Sequence, residues 1–248
     1  MYQFFVAPEQ IRGKEIIITG ESVNHIKNVL RMKVGEELAV SNGTDGKEYR
    51  CGIKKIEENC VECELWFVKE SGVELPSRIT LFQGLPKADK MELIIQKAVE
   101  LGACRIVPVS CGRSIVKLDP KKEKAKVTRW QAIAQAAARQ SKRGIIPEVG
   151  GVLSMEEALK EASAMDVRLI PYELADNMEK TREKIEQIKP GQSIAVFIGP
   201  EGGFEVGEIQ KALSFGVEPI TLGKRILRTE TAGLTVLSWM MYHLEERS

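Results

Sequence analysis

The chain has no apolar run long enough to span a bilayer as a helix, and its opening Met1-Tyr2-Gln3-Phe4-Phe5 lacks the basic segment and long apolar core of a secretory leader. A cytoplasmic protein with no membrane partner is expected. Histidine is scarce, with only His25 and His243. The cysteines, Cys51, Cys60, Cys63, Cys104 and Cys111, are odd in number and show no disulfide-framework spacing. Cys60 and Cys63 form a C-x-x-C, but a structural zinc site needs four ligands and no second pair accompanies this one. In a strand, positions 60 and 63 also point to opposite faces. Reduced thiols serving as small apolar residues are expected, and no metal. Neither G-x-G-x-x-G nor the P-loop pattern occurs, which weakens the dinucleotide and nucleoside-triphosphate readings. Net charge is almost absent at +1, so the overall balance points to no partner.

The distribution of charge is more informative. Between Arg113 and Arg143 stand ten Lys or Arg residues opposed only by Asp119 and Glu123. A basic segment on a near-neutral chain is what a polyanion-binding face looks like, although a solvated lysine-rich helix has the same composition.

At 248 residues the chain can hold one large or two modest domains. As far as about residue 70 it reads as short strands: Phe4–Val6, Glu15–Thr19, Glu37–Val40, Tyr49–Ile56 and Val61–Val68. Turn signals such as Asn42-Gly43 and Asp45-Gly46 separate them. One helical piece, Ser22–Arg31, interrupts, with Val23, Ile26, Val29 and Leu30 on one stripe. The pattern suggests a small β-barrel-like domain. It pauses around Ser71-Gly72 and Leu75-Pro76-Ser77. From Arg78 strands alternate with helices, which predicts an α/β domain whose mostly parallel sheet is covered on both faces. The closing helix, Thr231–Glu245, is apolar around most of its circumference, so it is buried in its own core or against a second subunit.

Two segments carry chemistry. FIGPEGGF (197–204) follows an uninterrupted apolar strand and precedes a helix, the place where open α/β sheets bind ligands. Its glycines let backbone approach a ligand closely, Pro200 stiffens the turn and Glu201 adds a carboxylate. LGKRILRTETA (222–232) leaves another strand and runs into the closing helix. There Ile226 and Leu227 could wall an adenine, Arg228, Glu230 and Thr231 could face a substrate, and Thr229 or Thr231 could be no more than an N-cap.

Together the two loops resemble the cofactor-binding loops of the RsmE family of bacterial 16S rRNA uridine N3-methyltransferases, members of the knotted SPOUT superfamily. LPKADKMELIIQKAVELGACRIVPV resembles the opening of that family's methyltransferase domain. RWQAIAQAAARQSKRGIIPEV resembles its basic helix and the following loop, and HIKNVLRMKVGEEL resembles its PUA-like RNA-binding domain. The likeness covers essentially the whole chain. Two departures are visible. Gln3 stands where the family usually has arginine, and Arg139-Gln140 replaces its usual Glu-Gln.

The resemblance implies a PUA-like β-barrel over 1–72 and, over 73–248, a SPOUT-type parallel sheet with a C-terminal trefoil knot. It implies S-adenosylmethionine as cofactor, 16S rRNA within an assembled small ribosomal subunit as substrate, and a homodimer. Cofactor contacts are expected from Pro171, Glu173, Ile198, Gly199, Pro200, Gly202, Gly203, Leu222, Gly223, Ile226, Leu227 and Thr231. RNA contacts are expected from Arg31, Arg113, Arg139, Ser141 and Arg143. For methyl transfer to uracil N3, Arg228 is the expected cation beside the ring, and Glu201 or Glu230 the proton acceptor. The competing readings are an RNA-binding protein without turnover, a methyltransferase for tRNA or a ribose 2′-hydroxyl, and, more remotely, a phosphate-binding α/β enzyme.

Overall fold

The computed structural model describes residues 1–172 and 177–245. Its strands and helices pack as two units, Met1–Glu74 with Ala138–Ile146, and Leu75–Ala137 with Pro147–Ser248.

In the first unit β1 (Gln3–Phe5), β2 (Ile11–Arg12), β3 (Glu15–Thr19), β4 (Glu37–Ser41), β5 (Lys47–Ile56) and β6 (Cys60–Glu70) form one sheet. They are hydrogen-bonded in the order β1-β4-β5-β6-β3-β2. The two-residue period sets the faces: Ile16 and Ile18 of β3 are fully buried between exposed Glu15 and Thr19. They join Phe4, Leu38, Val40, Ile53 and Val61 in one apolar core. The two thiols of the C-x-x-C diverge. Cys60 Sγ lies 3.4 Å from Glu57 Oε2, whereas Cys63 is buried in the core.

The helix expected over 22–31 is not regular. One α-helical turn, α1 (Glu21–Asn24), gives way to a π-helical turn at His25–Val29. The Leu30 N–H donates to the His25 carbonyl at 2.8 Å and Met32 N–H to Ile26 at 3.0 Å. The wider turn shifts the register, so Ile26 is buried while Val29 is 63% exposed.

Residues 138–146 return to this first unit, a feature that a single boundary at 72/73 does not contain. The Ile146 N–H donates to the Gly43 carbonyl at 2.9 Å. Gly144 lies so close to Gly46 that a Cβ there would fall 2.8 Å from its carbonyl carbon. Arg143 is buried, its Nη2 2.6 Å from Glu74 Oε2. The Gly144 and Ile145 N–H groups donate to the other oxygen of Glu74, both at 3.1 Å. Gln3, at the first of the family departures, donates its amide to the Arg143 carbonyl at 2.9 Å.

The second unit alternates β7 (Arg78–Gly84), α2 (Lys90–Glu100), β8 (Arg105–Ser110), α3 (Pro120–Gln140, whose last turn belongs to the first unit), β9 (Glu148–Val149), β10 (Leu153–Ser154), α4 (Met155–Ala162), β11 (Val167–Pro171), α5 (Met178–Glu186), β12 (Ser193–Ile198), α6 (Val206–Ser214), β13 (Glu218–Ile220) and α7 (Thr229–Glu245). The strands run β10-β8-β7-β12-β11-β13, with β9 on β8, and every pairing is parallel. Strands β9 and β10, of two residues each, are too short to show a period in the sequence.

Helices α4 and α6 cover one face, packing Met155, Leu159 and Ile209 on Phe82, Val107 and Phe197. The Phe82 and Phe197 rings stack with centroids 4.6 Å apart. Helices α2 and α7 pack on one another, and α7 lies on β12. Its buried stripe of Thr229, Gly233, Val236, Leu237, Met240 and Leu244 keeps helical spacing. Among the described residues no helix is long and apolar enough to cross a membrane.

Candidate active site

The carboxyl ends of β11, β12 and β13 open onto a cleft of about 700 Å³. One wall is the glycine loop after β12, another is the 221–229 segment after β13, and Pro171 with Tyr172 close the side at β11. This is where a parallel sheet leaves room between the loops that follow adjacent strands.

The walls are laced together by residues far apart in the sequence. The hydroxyl of Thr229, which is 5% exposed, donates to the Gly199 carbonyl at 2.6 Å and accepts from Gln83 Nε2 at 2.9 Å. Gln83 Nε2 also donates to the Gly84 carbonyl at 2.9 Å. The next residue permits the approach: a Cβ on Gly84 would fall 2.6 Å from Pro200 Cδ and 2.7 Å from its nitrogen. Helix α7 therefore begins at Thr229, two residues before the expected start.

Thr229→Val would take the hydroxyl donor from the Gly199 carbonyl and leave the Gln83 amide with its Gly84 bond alone. The expected loss is about 1–3 kcal/mol of stability, together with weaker ligand binding in the cleft, and Thr229→Ser should restore both. Urea unfolding of the two variants measures this.

At the rim, Lys90 Nζ lies 2.9 Å from Glu201 Oε1 and 3.4 Å from Glu230 Oε2. The Lys87 N–H donates to both oxygens of Glu201 at 3.2 and 3.3 Å. Burial pushes the Glu201 carboxyl up, but the Lys90 ammonium and the backbone N–H groups together outweigh it. Glu201 is held below its ordinary value of 4.5 and is ionised at neutral pH. A carboxyl with a depressed pKa stabilises the fold above 4.5, and that contribution is lost as pH falls through its lowered value. In Lys90→Met the upward push of burial would remain without its main opponent, so Glu201 should titrate at higher pH. A carbon-13 NMR titration of the glutamate carboxyls in both proteins would show the difference; an unmoved Glu201 would dismiss Lys90 as the cause.

The expected residues fall into three groups. Pro171, Ile198, Gly199, Pro200, Gly202, Gly203, Leu222, Gly223, Ile226 and Leu227 line the cleft, as do Glu201 and Arg228. Leu227 is half-buried, whereas Ile226 stands at the rim with 93% of its surface exposed, so it is no closed wall. Thr231 departs from expectation: it is exposed on α7 and does not line the cleft, and Thr229 takes the inward position. Glu230 lies in the first turn of α7 behind Lys90. Glu173 lies outside the described residues.

The basic residues also separate. Arg113 lines the cleft and donates from Nη1 to the Gly202 carbonyl at 2.9 Å. Arg31, Arg139 and Ser141 belong to the first unit. Arg143, expected as an RNA contact, is 3% exposed and clamped to Glu74, so its guanidinium is not presented at the surface. On α3, Lys121, Lys122 and Lys124 are exposed, and Lys122 pairs with Asp119 at 3.1 Å. Lys90, Gln83 and Thr229 were not legible as site residues. Lys224 and Arg225, exposed beside the cleft, stood in the quoted motif without an assigned role.

The chain matches the model of an RNA methyltransferase domain over residues 73–241 and that of an RNA methyltransferase PUA domain over 18–65. Ribosomal RNA small subunit methyltransferase E of Bacillus subtilis is 38% identical over 231 residues, which cover 92% of this chain and 90% of that protein. The protein of the same description from Mesomycoplasma hyopneumoniae is 34% identical, over 96% of this chain and 98% of that one. The crystal structure of ribosomal RNA small subunit methyltransferase E from Neisseria gonorrhoeae, bound to S-adenosyl methionine, superposes with a TM-score of 0.85 at 32% identity. The match covers 98% of this chain and 97% of that one.

Proposed function

This chain belongs to the ribosomal RNA small subunit methyltransferase E family of RNA methyltransferases, and on that premise we propose that it methylates N3 of a uridine in 16S rRNA with S-adenosylmethionine as methyl donor. The observation that carries the reading is the cleft itself, two laced backbone loops at the carboxyl ends of parallel strands with an exposed arginine, Arg228, at the mouth.

The residues present suit that donor. Backbone groups of 198–203 and 221–223 offer hydrogen bonds to an adenosine, and Leu222, Leu227 and Phe204 offer apolar contact. The volume falls in the ordinary range for a small-molecule site. When bound, S-adenosylmethionine supplies an electrophilic methyl group on a sulfonium.

The protein's own part is to hold the uracil in line with that methyl group, take the N3 proton and steady the charge that spreads over O2 and O4. Arg228 is the cation for that charge. The proton acceptor is one of two carboxylates: Glu201 lines the cleft but already receives Lys90 and the Lys87 N–H, whereas Glu230 is less committed and lies outside the lining, behind Lys90. Glu201 also anchors Lys90 and the turn before α2 against the glycine loop.

The same premise extends to the assembly. A SPOUT-type trefoil knot would bring the 198–204 and 221–229 loops side by side, as the cleft requires. A homodimer is supported by the outer side of α7, where Leu234, Trp239 and Met241 are half-exposed and Tyr242 is 65% exposed. The first unit, with Arg31, Arg139 and Ser141, would meet the RNA of the small subunit in the cytoplasm, and Lys121, Lys122 and Lys124 would add diffuse attraction for phosphate.

Two measurements test the function together. Calorimetric titration with S-adenosylmethionine should show saturable binding. Mass spectrometry of digested 16S rRNA, after incubation with undermethylated small-subunit particles, should show the new methyl on a uracil base. A methyl on a ribose 2′-oxygen, or no binding and no transfer, would overturn the proposal.

A further inference from the structure

The first unit contains a second hollow, of about 400 Å³, that none of this chemistry uses. It is lined by Glu21, Ser22, Asn24, His25, Val29 and Arg139. One wall is α1 and the π-helical turn, a rare conformation that concentrates at functional sites. Two residues after it, outside the lining of the hollow, Arg31 is held in the left-handed region at φ 54°, a strained position for a side chain of its size.

The opposite wall is Arg139, in the last turn of α3. Its Nε is buried yet has no hydrogen-bond partner. A buried donor on a charged group is costly to leave unmade, so a ligand that accepts from it would relieve the site. The neighbouring groups are of mixed character. Glu21 only accepts, and Ser22 both donates and accepts. Asn24 Oδ1 already receives Asn28 Nδ2 at 2.6 Å, which leaves its own N–H groups to donate. The His25 ring meets Phe4 edge-on, with centroids 6.1 Å apart and planes at 84°.

This set selects a ligand class. A phosphate would face the Glu21 carboxylate, and a metal ion would face the Arg139 guanidinium. A nucleobase edge carries both donors and acceptors, and a base face can stack on an imidazole. We propose that this hollow holds one unstacked base of the RNA substrate, against His25 and with its edge toward Arg139, Asn24 and Glu21. The base comes from a single-stranded stretch, because side chains cannot read the deep groove of an RNA duplex. The proposal rests on the RNA methyltransferase reading.

Glu21→Ala is the decisive variant, because the two explanations of this surface give opposite signs. Removing a negative charge from a face that merely attracts phosphate strengthens RNA binding, whereas removing an acceptor from a base-reading site weakens it. Steady-state methylation of small-subunit particles should show KM raised by about tenfold, the loss of one good hydrogen bond. The kcat should stay within about twofold, and S-adenosylmethionine affinity and melting temperature should be unchanged. Asn24→Ala should act in the same direction, which guards against an effect peculiar to one position. A KM that falls or stays constant in both variants, with wild-type protein turning over normally, would overturn the subsite and leave the activity standing. Absence of methylation by wild-type protein would overturn both.

Discussion

Arg143→Ala is expected to destabilise the protein by about 3–5 kcal/mol, the usual cost of removing one partner from a buried ion pair. The side chain is 4% exposed and its partner Glu74 20%. Nε and Nη2 both donate to Glu74 Oε2, at 3.0 and 2.6 Å. Without them the carboxylate keeps the Gly144 and Ile145 N–H groups, which face its other oxygen. Those two N–H groups belong to the segment that returns to the first unit, so the damage should spread to residues 138–146. Replacing both partners, as in Arg143→Met with Glu74→Gln, should recover much of the loss, because no buried charge then lacks a partner and the amide oxygen still accepts from the Gly144 and Ile145 N–H groups. Urea unfolding followed by circular dichroism, with limited proteolysis near residue 143, reads both effects. An Arg143→Ala protein that unfolds like wild type but binds small-subunit particles weakly would restore the surface RNA contact that the basic run suggested.

The reason Arg143 reads wrongly in the sequence is general. An arginine within a basic run looks like part of a solvated face, and the glutamate it pairs with lies 69 positions earlier. Period and composition carry no signal across that distance. The same holds for the pair that laces the cleft, Gln83 and Thr229, which lie 146 positions apart. Thr229 was visible locally only as a helix cap, and Gln83 only as the end of an apolar strand. Lys90 was one more charge at the start of an amphipathic helix, and its meeting with Glu201 and Glu230 depends on three elements converging.

The strands and helices of the second unit were legible because burial imposes period two on a strand and about 3.6 on a helix over enough residues to be counted. The glycine loop and the 222–232 segment were legible for a different reason: their positions after apolar strands point to a ligand site, but each alone can be a plain turn or helix cap, and it is the resemblance of the two together that implied the cofactor cleft. The π-helical turn escaped because one wide turn within ten residues alters the stripe only at its end, at Val29.

Arg228→Ala should lower kcat on small-subunit particles by about 10²–10³-fold, the cost of removing one fixed donor from a developing anion, while S-adenosylmethionine affinity changes little. Four cations, Arg113, Lys224, Arg225 and Arg228, line the cleft and are exposed, and Arg113 is already committed to the Gly202 carbonyl. What separates Arg228 is how firmly its backbone is held. Its carbonyl accepts from the Ala232 N–H at 2.8 Å, and the next residue is tied to the glycine loop through the Thr229 hydroxyl. A cation on such a support is already oriented when charge develops, which is the condition for electrostatic stabilisation without reorganisation. Lys224 and Arg225 sit in the loop before α7, so their alanine variants should act mainly on RNA affinity, with a weaker salt dependence of binding. Arg228→Lys should recover only part of the rate, because the charge remains but the planar fork that can meet a carbonyl oxygen and its neighbour is gone. Single-turnover methylation at saturating cofactor and particles isolates this step. Full turnover by Arg228→Ala, or a loss confined to KM, would move the anion-stabilising role to another group in the cleft.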